Sequence, residues 1–89
     1  MSKRIQYKVD GQVQGVCFRA YTVDEANKIG VTGFVKNASD GTVTGEAQGD
    51  DNQIQQFTQW LNKGPSAAKV SGVEQSEIDP KQGESGFKQ

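Results

Sequence analysis

The stretch Ile5-Gln6-Tyr7-Lys8-Val9-Asp10-Gly11-Gln12-Val13-Gln14-Gly15-Val16-Cys17-Phe18-Arg19 changes its period halfway along. Ile5, Tyr7 and Val9 alternate with Gln6, Lys8 and Asp10, the period-two pattern of a half-buried strand, and Asp10-Gly11 stops the run. From Phe18 the pattern switches to helical spacing through Thr22, Ala26 and Ile29, and Gly30 stands where a helix ends. The spacing predicts a helix over 19–29, which leaves Gly11 to Phe18 as a strand-to-helix loop.

Downstream, Val31 to Asn37 carries Val31, Phe34 and Val35, and Val43, Gly45 and Ala47 alternate with Thr42, Thr44 and Glu46. Two strands therefore flank Ala38-Ser39-Asp40-Gly41, whose Asp-Gly pair is a strong hairpin signal. Asp50 and Asp51 can cap a second helix in which Ile54, Phe57 and Leu61 recur at i, i+3 and i+7, and Gly64-Pro65 ends it. Val70 and Val73 are three apart, which breaks period two and predicts a bulge at Gly72 in a strand that Ile78 extends. Pro80 to Gly86 reads as loop, including the turn Gly83-Glu84-Ser85-Gly86, and Phe87 as a terminal stub. The order βαββαβ is that of a split βαβ unit in a single α+β domain spanning residues 1–89. A helix between strands one and two implies a right-handed crossover to a parallel neighbour. Both helices should then cover one face of a mainly antiparallel sheet.

Composition narrows the function. Ten Lys and Arg against eleven Asp and Glu give a net charge of −1, which argues against a nucleic-acid or anionic-membrane partner. An RNA reader of this strand order would need aromatic and basic residues on its open sheet face, and the third strand offers Thr42, Thr44 and Glu46. Histidine is absent, so Ser-His-Asp and Cys-His systems are excluded along with the commonest zinc ligand. One cysteine cannot form an internal disulfide, and Met1 to Gln6 has no apolar stretch of the kind a secretory signal needs, so a cytoplasmic protein is expected. On that expectation the Asn37-Ala38-Ser39 glycosylation match is chance. No long apolar stripe demands a partner subunit, which makes a monomer the default.

The loop gathers Gly11, Gly15, a helix start and Arg19 within nine residues. Glycines let consecutive N–H groups turn toward one place, the first N–H groups of a helix lack internal partners, and a guanidinium offers planar donors for phosphate oxygens. The spacing alone also fits an ordinary loop beside a solvated arginine, because neither G-x-x-x-x-G-K-[ST] nor G-x-G-x-x-G is present. Asn37 is similarly open: its amide can orient a water, or it can form an Asx turn at the hairpin. Cys17 is too close to Arg19 for a cysteine-phosphatase loop, since only Phe18 intervenes, and it reads as a structural thiol. Asp50-Asp51 reads as capping rather than a metal pair. Tyr7, Phe34, Phe57, Trp60 and Phe87 read as packing.

Taken together, residues 11–19 and Gly33-Phe34-Val35-Lys36-Asn37-Ala38-Ser39-Asp40-Gly41-Thr42-Val43 closely resemble the two signature stretches of the acylphosphatase family. The similarity continues through Gly45-Glu46-Ala47-Gln48-Gly49 and Gly64-Pro65-Ser66-Ala67-Ala68-Lys69-Val70 to the late Gly86-Phe87. The resemblance implies a ferredoxin-like sandwich that hydrolyses the carboxyl–phosphate bond of a small acyl phosphate with neither metal nor organic cofactor. It implies that Arg19 and the main-chain amides of Gln14, Gly15, Val16, Cys17 and Phe18 hold the phosphoryl group, and that Asn37 holds the attacking water. A carboxylate leaving group, with a conjugate acid near pKa of about 4–5, departs without a proton donor, so a chain lacking histidine can manage this reaction. Two departures stand out: Ala38 replaces a threonine common in the family, and the chain ends two residues after Phe87, which predicts a short last strand. A regulatory domain that binds an anion without hydrolysing it is the rival.

Overall fold

A computed structural model describes residues 2–89. Along the chain it forms β1 (Lys3–Gln12), α1 (Phe18–Ile29), β2 (Thr32–Asn37), β3 (Val43–Gly49), α2 (Asp51–Lys63), β4 (Lys69–Ile78) and β5 (Phe87–Lys88). The strands make one sheet in the order β4-β1-β3-β2-β5. All pairings are antiparallel except β2 with β5. This is the ferredoxin-like α+β architecture, with both helices against the sheet and against each other. β1 and β2 run parallel, as the intervening helix requires, but they are not neighbours: β3 lies between them and pairs with both. The short β2–β3 turn folds β3 straight back against β2, and the other edge of β3 pairs with β1.

Alternation decides which side of the sheet meets the helices. Ile5, Tyr7 and Val9 of β1 lie opposite Ala47, Gly45 and Val43 of β3, and all six are buried. Gly45 leaves the space that the Tyr7 ring needs, and the Tyr7 hydroxyl crosses the gap to donate to the Phe34 carbonyl at 2.8 Å. Burial pushes that phenol's pKa up. From α1 come Phe18, Thr22 and Ala26; from α2 come Ile54, Phe57 and Leu61. Phe57 meets the Tyr7 ring edge-on at 5.5 Å and the Phe87 ring at 5.5 Å, so one aromatic side chain joins β1, α2 and β5. Each fully buried side chain of this size contributes about 1.5–3 kcal/mol.

β1 continues through Gln12, beyond the Asp10-Gly11 stop expected from alternation. The pairing survives because β4 carries the extra residue: Asp10 lies opposite Gly72 and Gly11 opposite Val70, which leaves Ser71 bulged, one position before the glycine expected to mark it. Gly11, at φ 128°, approaches the Lys69 carbonyl more closely than any side chain would allow. Helix α1 begins at Phe18, one residue earlier than its spacing predicts.

The short β5 is held by charge as well as by pairing. Arg4 is only 1 % exposed, yet its burial is not legible in the sequence because it falls in the polar phase of the β1 alternation, with Gln6 and Lys8. Its guanidinium donates to Glu84 through Nη1 at 2.8 Å and Nη2 at 3.2 Å, to Glu46 at 2.7 Å and to Gln48 at 3.1 Å. Gln48 in turn exchanges hydrogen bonds with the Lys81 main chain, at 2.9 Å and 2.8 Å. The Gly83–Gly86 turn is thereby clasped to the sheet, and the Arg4 guanidinium holds the Glu84 carboxyl below its ordinary pKa.

Candidate active site

The loop between β1 and α1 has an alternating backbone. Gly15 has φ 76° and Cys17 φ 60°, with Val16 on the negative side between them. Residues of alternating hand turn successive N–H groups toward the same side, the geometry of an anion nest. Among the described residues Cys17 is the sole non-glycine with positive φ, a conformation that costs about 1–2 kcal/mol and persists only where the surroundings impose it. Gly15 bears the other positive φ with open space where a side chain would stand.

Cys17 is the N-cap of α1, and its side chain caps nothing. The first intrahelical bond runs from Tyr21 N–H to the Cys17 carbonyl at 3.1 Å. Among the described residues no protein acceptor takes a hydrogen bond from the main-chain N–H groups of Gln14, Gly15, Val16, Cys17, Phe18, Arg19 or Ala20. No acidic residue lies in the first turn, so the positive end of the helix is not neutralised from within the chain. Arg19 is exposed and forms no ion pair among the described residues, in contrast to Arg4. Phe18, the first residue of α1, is buried against Trp60 at 5.8 Å between ring centroids and ties the end of the loop to the core.

Asn37 closes β2, is exposed, and makes no side-chain hydrogen bond to the described protein. The Asx turn is formed instead by Asp40, whose Oδ1 accepts from Thr42 N–H at 3.0 Å and from Thr42 Oγ1 at 2.6 Å, while Oδ2 lies 3.4 Å from Lys8 Nζ. The Thr42 hydrogen bonds, assisted by Lys8, lower the Asp40 pKa to about 2. With Asp40 bracing the hairpin, the Asn37 carboxamide is not committed to it.

Loop and hairpin meet through one side chain. Gln14 Nε2 donates to the carbonyls of Ala38 and Thr42, both at 2.9 Å. Sequence reasoning singled out the Gln14 amide and missed this side chain; the Asp40-Gly41-Thr42 turn pattern was open to reading, whereas Gln14 and Lys8 lie far along the chain from the groups they reach. A groove of about 510 Å³ lies elsewhere, on the helix-free face of the sheet among Gln6, Lys8, Phe34, Lys36, Thr44 and Glu46. An anion held by main-chain donors needs no such depth, so volume does not locate the site. Among the described residues no three His, Cys, Asp or Glu side chains gather into a possible metal site.

The acylphosphatase family pattern matches residues 5–89. Human acylphosphatase-2 is 57 % identical over 61 residues, covering 68 % of this chain and 62 % of that protein, so the match spans less than two thirds of that relative. The structure of an acylphosphatase from Coxiella burnetii superposes with a TM-score of 0.92 at 39 % identity, over 98 % of this chain and 90 % of that one. That of Bacillus subtilis acylphosphatase superposes at 0.91 with 35 % identity, over 99 % and 97 %. With the family pattern matched over residues 5–89 and two solved acylphosphatases superposing over 98 % and 99 % of its length, the chain belongs to the acylphosphatase family.

Proposed function

We propose that the chain hydrolyses small acyl phosphates to a carboxylate and inorganic phosphate. The observation that carries this reading is the start of α1: a nest-like loop and a helix N-terminus whose N–H groups have no protein acceptor among the described residues, followed at once by an arginine that forms no ion pair among them. The amides of Gln14, Gly15, Val16, Cys17 and Phe18, with the Arg19 guanidinium, supply donors for the three equatorial phosphoryl oxygens, where charge accumulates in the transition state. Asn37 accepts a hydrogen bond from a water and aims its oxygen at phosphorus, opposite the bond to the acyl oxygen. The water oxygen–phosphorus bond forms as the phosphorus–acyl oxygen bond breaks, and the bonding pair leaves on the carboxylate. One water proton stays on the new P–OH and the other passes to a phosphate oxygen, giving dihydrogen phosphate.

The reaction calls for no proton donor, because the carboxylate is a stable leaving group. It calls for no covalent intermediate and no metal or organic cofactor either, because stabilising the equatorial charge is the main task. Recognition falls on the phosphoryl group, so acyl selectivity is loose. We assign the chain to the cytoplasm as a monomer without nucleic-acid or membrane partners. The net charge of −1 speaks against nucleic-acid and anionic-membrane partners.

Following the absorbance of benzoyl phosphate in the presence of EDTA tests the activity: turnover is expected and is indifferent to the chelator. Calorimetric titration with orthophosphate should show saturable uptake at the same site. A full-length chain that neither cleaves benzoyl phosphate nor binds orthophosphate at high millimolar concentration refutes the reading. Binding without cleavage selects the anion-sensing rival.

A further inference from the structure

We propose that the Gln14 side chain is a positioning residue: it sets the spacing between the loop that receives the phosphoryl group and the hairpin that carries Asn37. The inference rests on the hydrolase reading above. Gln14 directs its side-chain amide hydrogens at two carbonyls of the hairpin, since Nε2 donates to Ala38 O and Thr42 O, each at 2.9 Å. Those two oxygens belong to one small ring of the hairpin, where Thr42 O also accepts from Ala38 N–H at 2.8 Å and Ala38 O from Gly41 N–H at 3.3 Å. Ala38 directly follows Asn37. A side chain rooted in the phosphate loop thus grips the main chain one peptide away from the residue assigned to the water. Among the described residues it is the one side chain of 13–18 that hydrogen-bonds to 37–42.

The chemistry of the brace selects an amide. Both targets are acceptors, so the bridging atom must carry two hydrogens at the length of a glutamine. Ionised glutamate, of the same size and shape, would present oxygen and negative charge to two carbonyl oxygens. In-line attack in turn demands a brace: the loop amides and Arg19 place phosphorus, Asn37 places the water, and a misplacement of about 1 Å between reacting groups can cost about a hundredfold in rate. Gln14 governs the distance and angle between the two halves while its own main-chain N–H, untouched by substitution of the side chain, continues to serve the phosphate.

The test is steady-state kinetics on benzoyl phosphate for wild type, Gln14→Met, Gln14→Glu, Asn37→Ala and the double variant Gln14→Met/Asn37→Ala, with orthophosphate titrations and melting curves alongside. Gln14→Met should lower kcat between about tenfold and about a hundredfold with KM and orthophosphate affinity little changed, and Gln14→Glu should be at least as slow. The double variant should be no slower than Asn37→Ala, because without an aimed water there is nothing left to position. Gln14→Asn, which keeps the amide but loses the reach, should also be slow and replaces Gln14→Met if that variant does not fold. A folded Gln14 variant with wild-type kcat overturns the proposal. So does a loss that multiplies with that of Asn37→Ala, or one that appears wholly as weaker orthophosphate binding. An inactive wild-type chain overturns the hydrolase reading and this proposal together, whereas an active wild type indifferent to Gln14 overturns this proposal alone.

Discussion

The two helices of this chain begin in opposite ways. At α2, Asp50 accepts from the Gln53 N–H at 2.8 Å and the Gln53 side chain accepts from the Asp50 N–H at 2.9 Å, a reciprocal capping box with Asp51 adding negative charge in the first turn. At α1, Cys17 sits in a left-handed conformation, caps nothing, and is followed by Arg19 rather than an acid. One start is satisfied by its own residues and serves stability. The other holds backbone strain and main-chain donors that, among the described residues, meet no protein acceptor and stand open to solvent or an anion. The difference teaches that the end of the fold proposed for catalysis is the one whose donors the chain leaves without a partner of its own.

Removing the guanidinium from the open start is the strongest way to break this contrast. Arg19→Ala should lower kcat/KM about a thousandfold or more and abolish measurable orthophosphate binding, with the melting temperature unchanged because Arg19 is exposed and unpaired. Near-normal turnover in that variant would falsify the assignment of α1 to catalysis. Next in size, Asn37→Ala should reduce kcat about a hundredfold while orthophosphate still binds, which calorimetry separates from a loss of affinity. If affinity falls with rate, Asn37 holds phosphate and not water.

Supplying α1 with the negative charge that α2 already has should sharpen the comparison. Cys17→Asp places a carboxylate at the open N-terminus in a residue type that tolerates positive φ, so KM should rise about tenfold at low salt and recover partly as salt is added. An unchanged KM would mean that the helix start does not meet the phosphate. The reverse experiment is Asp50→Ala, which removes the cap of α2. It should cost about 1 kcal/mol, or about 4–8 °C in Tm, with no change in kcat at room temperature. Any selective loss of turnover there would erase the division of labour between the two starts.

The smallest effect concerns the hairpin brace. Asp40 has a folded-state pKa lowered to about 2, first by its hydrogen bonds from Thr42 and then by Lys8. A depressed carboxylate pKa contributes stability that is complete above the ordinary value near 4 and disappears as pH falls through about 2. Asp40→Asn should therefore lower the urea midpoint slightly at neutral pH, and the gap to wild type should close between pH 4 and pH 2. A gap that persists at pH 2 would mean that the carboxylate's charge is not what braces the turn.

Legibility along the chain followed the range of the interactions. The elements could be read because alternation in Ile5-Tyr7-Val9 and helical spacing in Ile54-Phe57-Leu61 are local consequences of having one buried face. The Asp50 cap and the Gly64-Pro65 stop are local in the same way. Arg4 was not legible, since a charge buried at 1 % exposure requires Glu46, Gln48 and Glu84 to arrive from positions far along the chain. The side-chain bridge from Gln14 to Ala38 and Thr42 was hidden for the same reason, as was the partnership of Lys8 with Asp40.

The amino-acid order alone thus determined the βαββαβ succession, the two loops that carry Gln14 to Arg19 and Asn37, and their family likeness, because periodicity, turn residues and loop composition act over a few residues. Only the tertiary structure decided that β3 separates β1 from β2, that the α1 start remains uncapped, and that the two loops are joined by one carboxamide. Those outcomes depend on which donor finds which acceptor across the sheet, and hydrogen bonds of that range leave no periodic trace in a sequence.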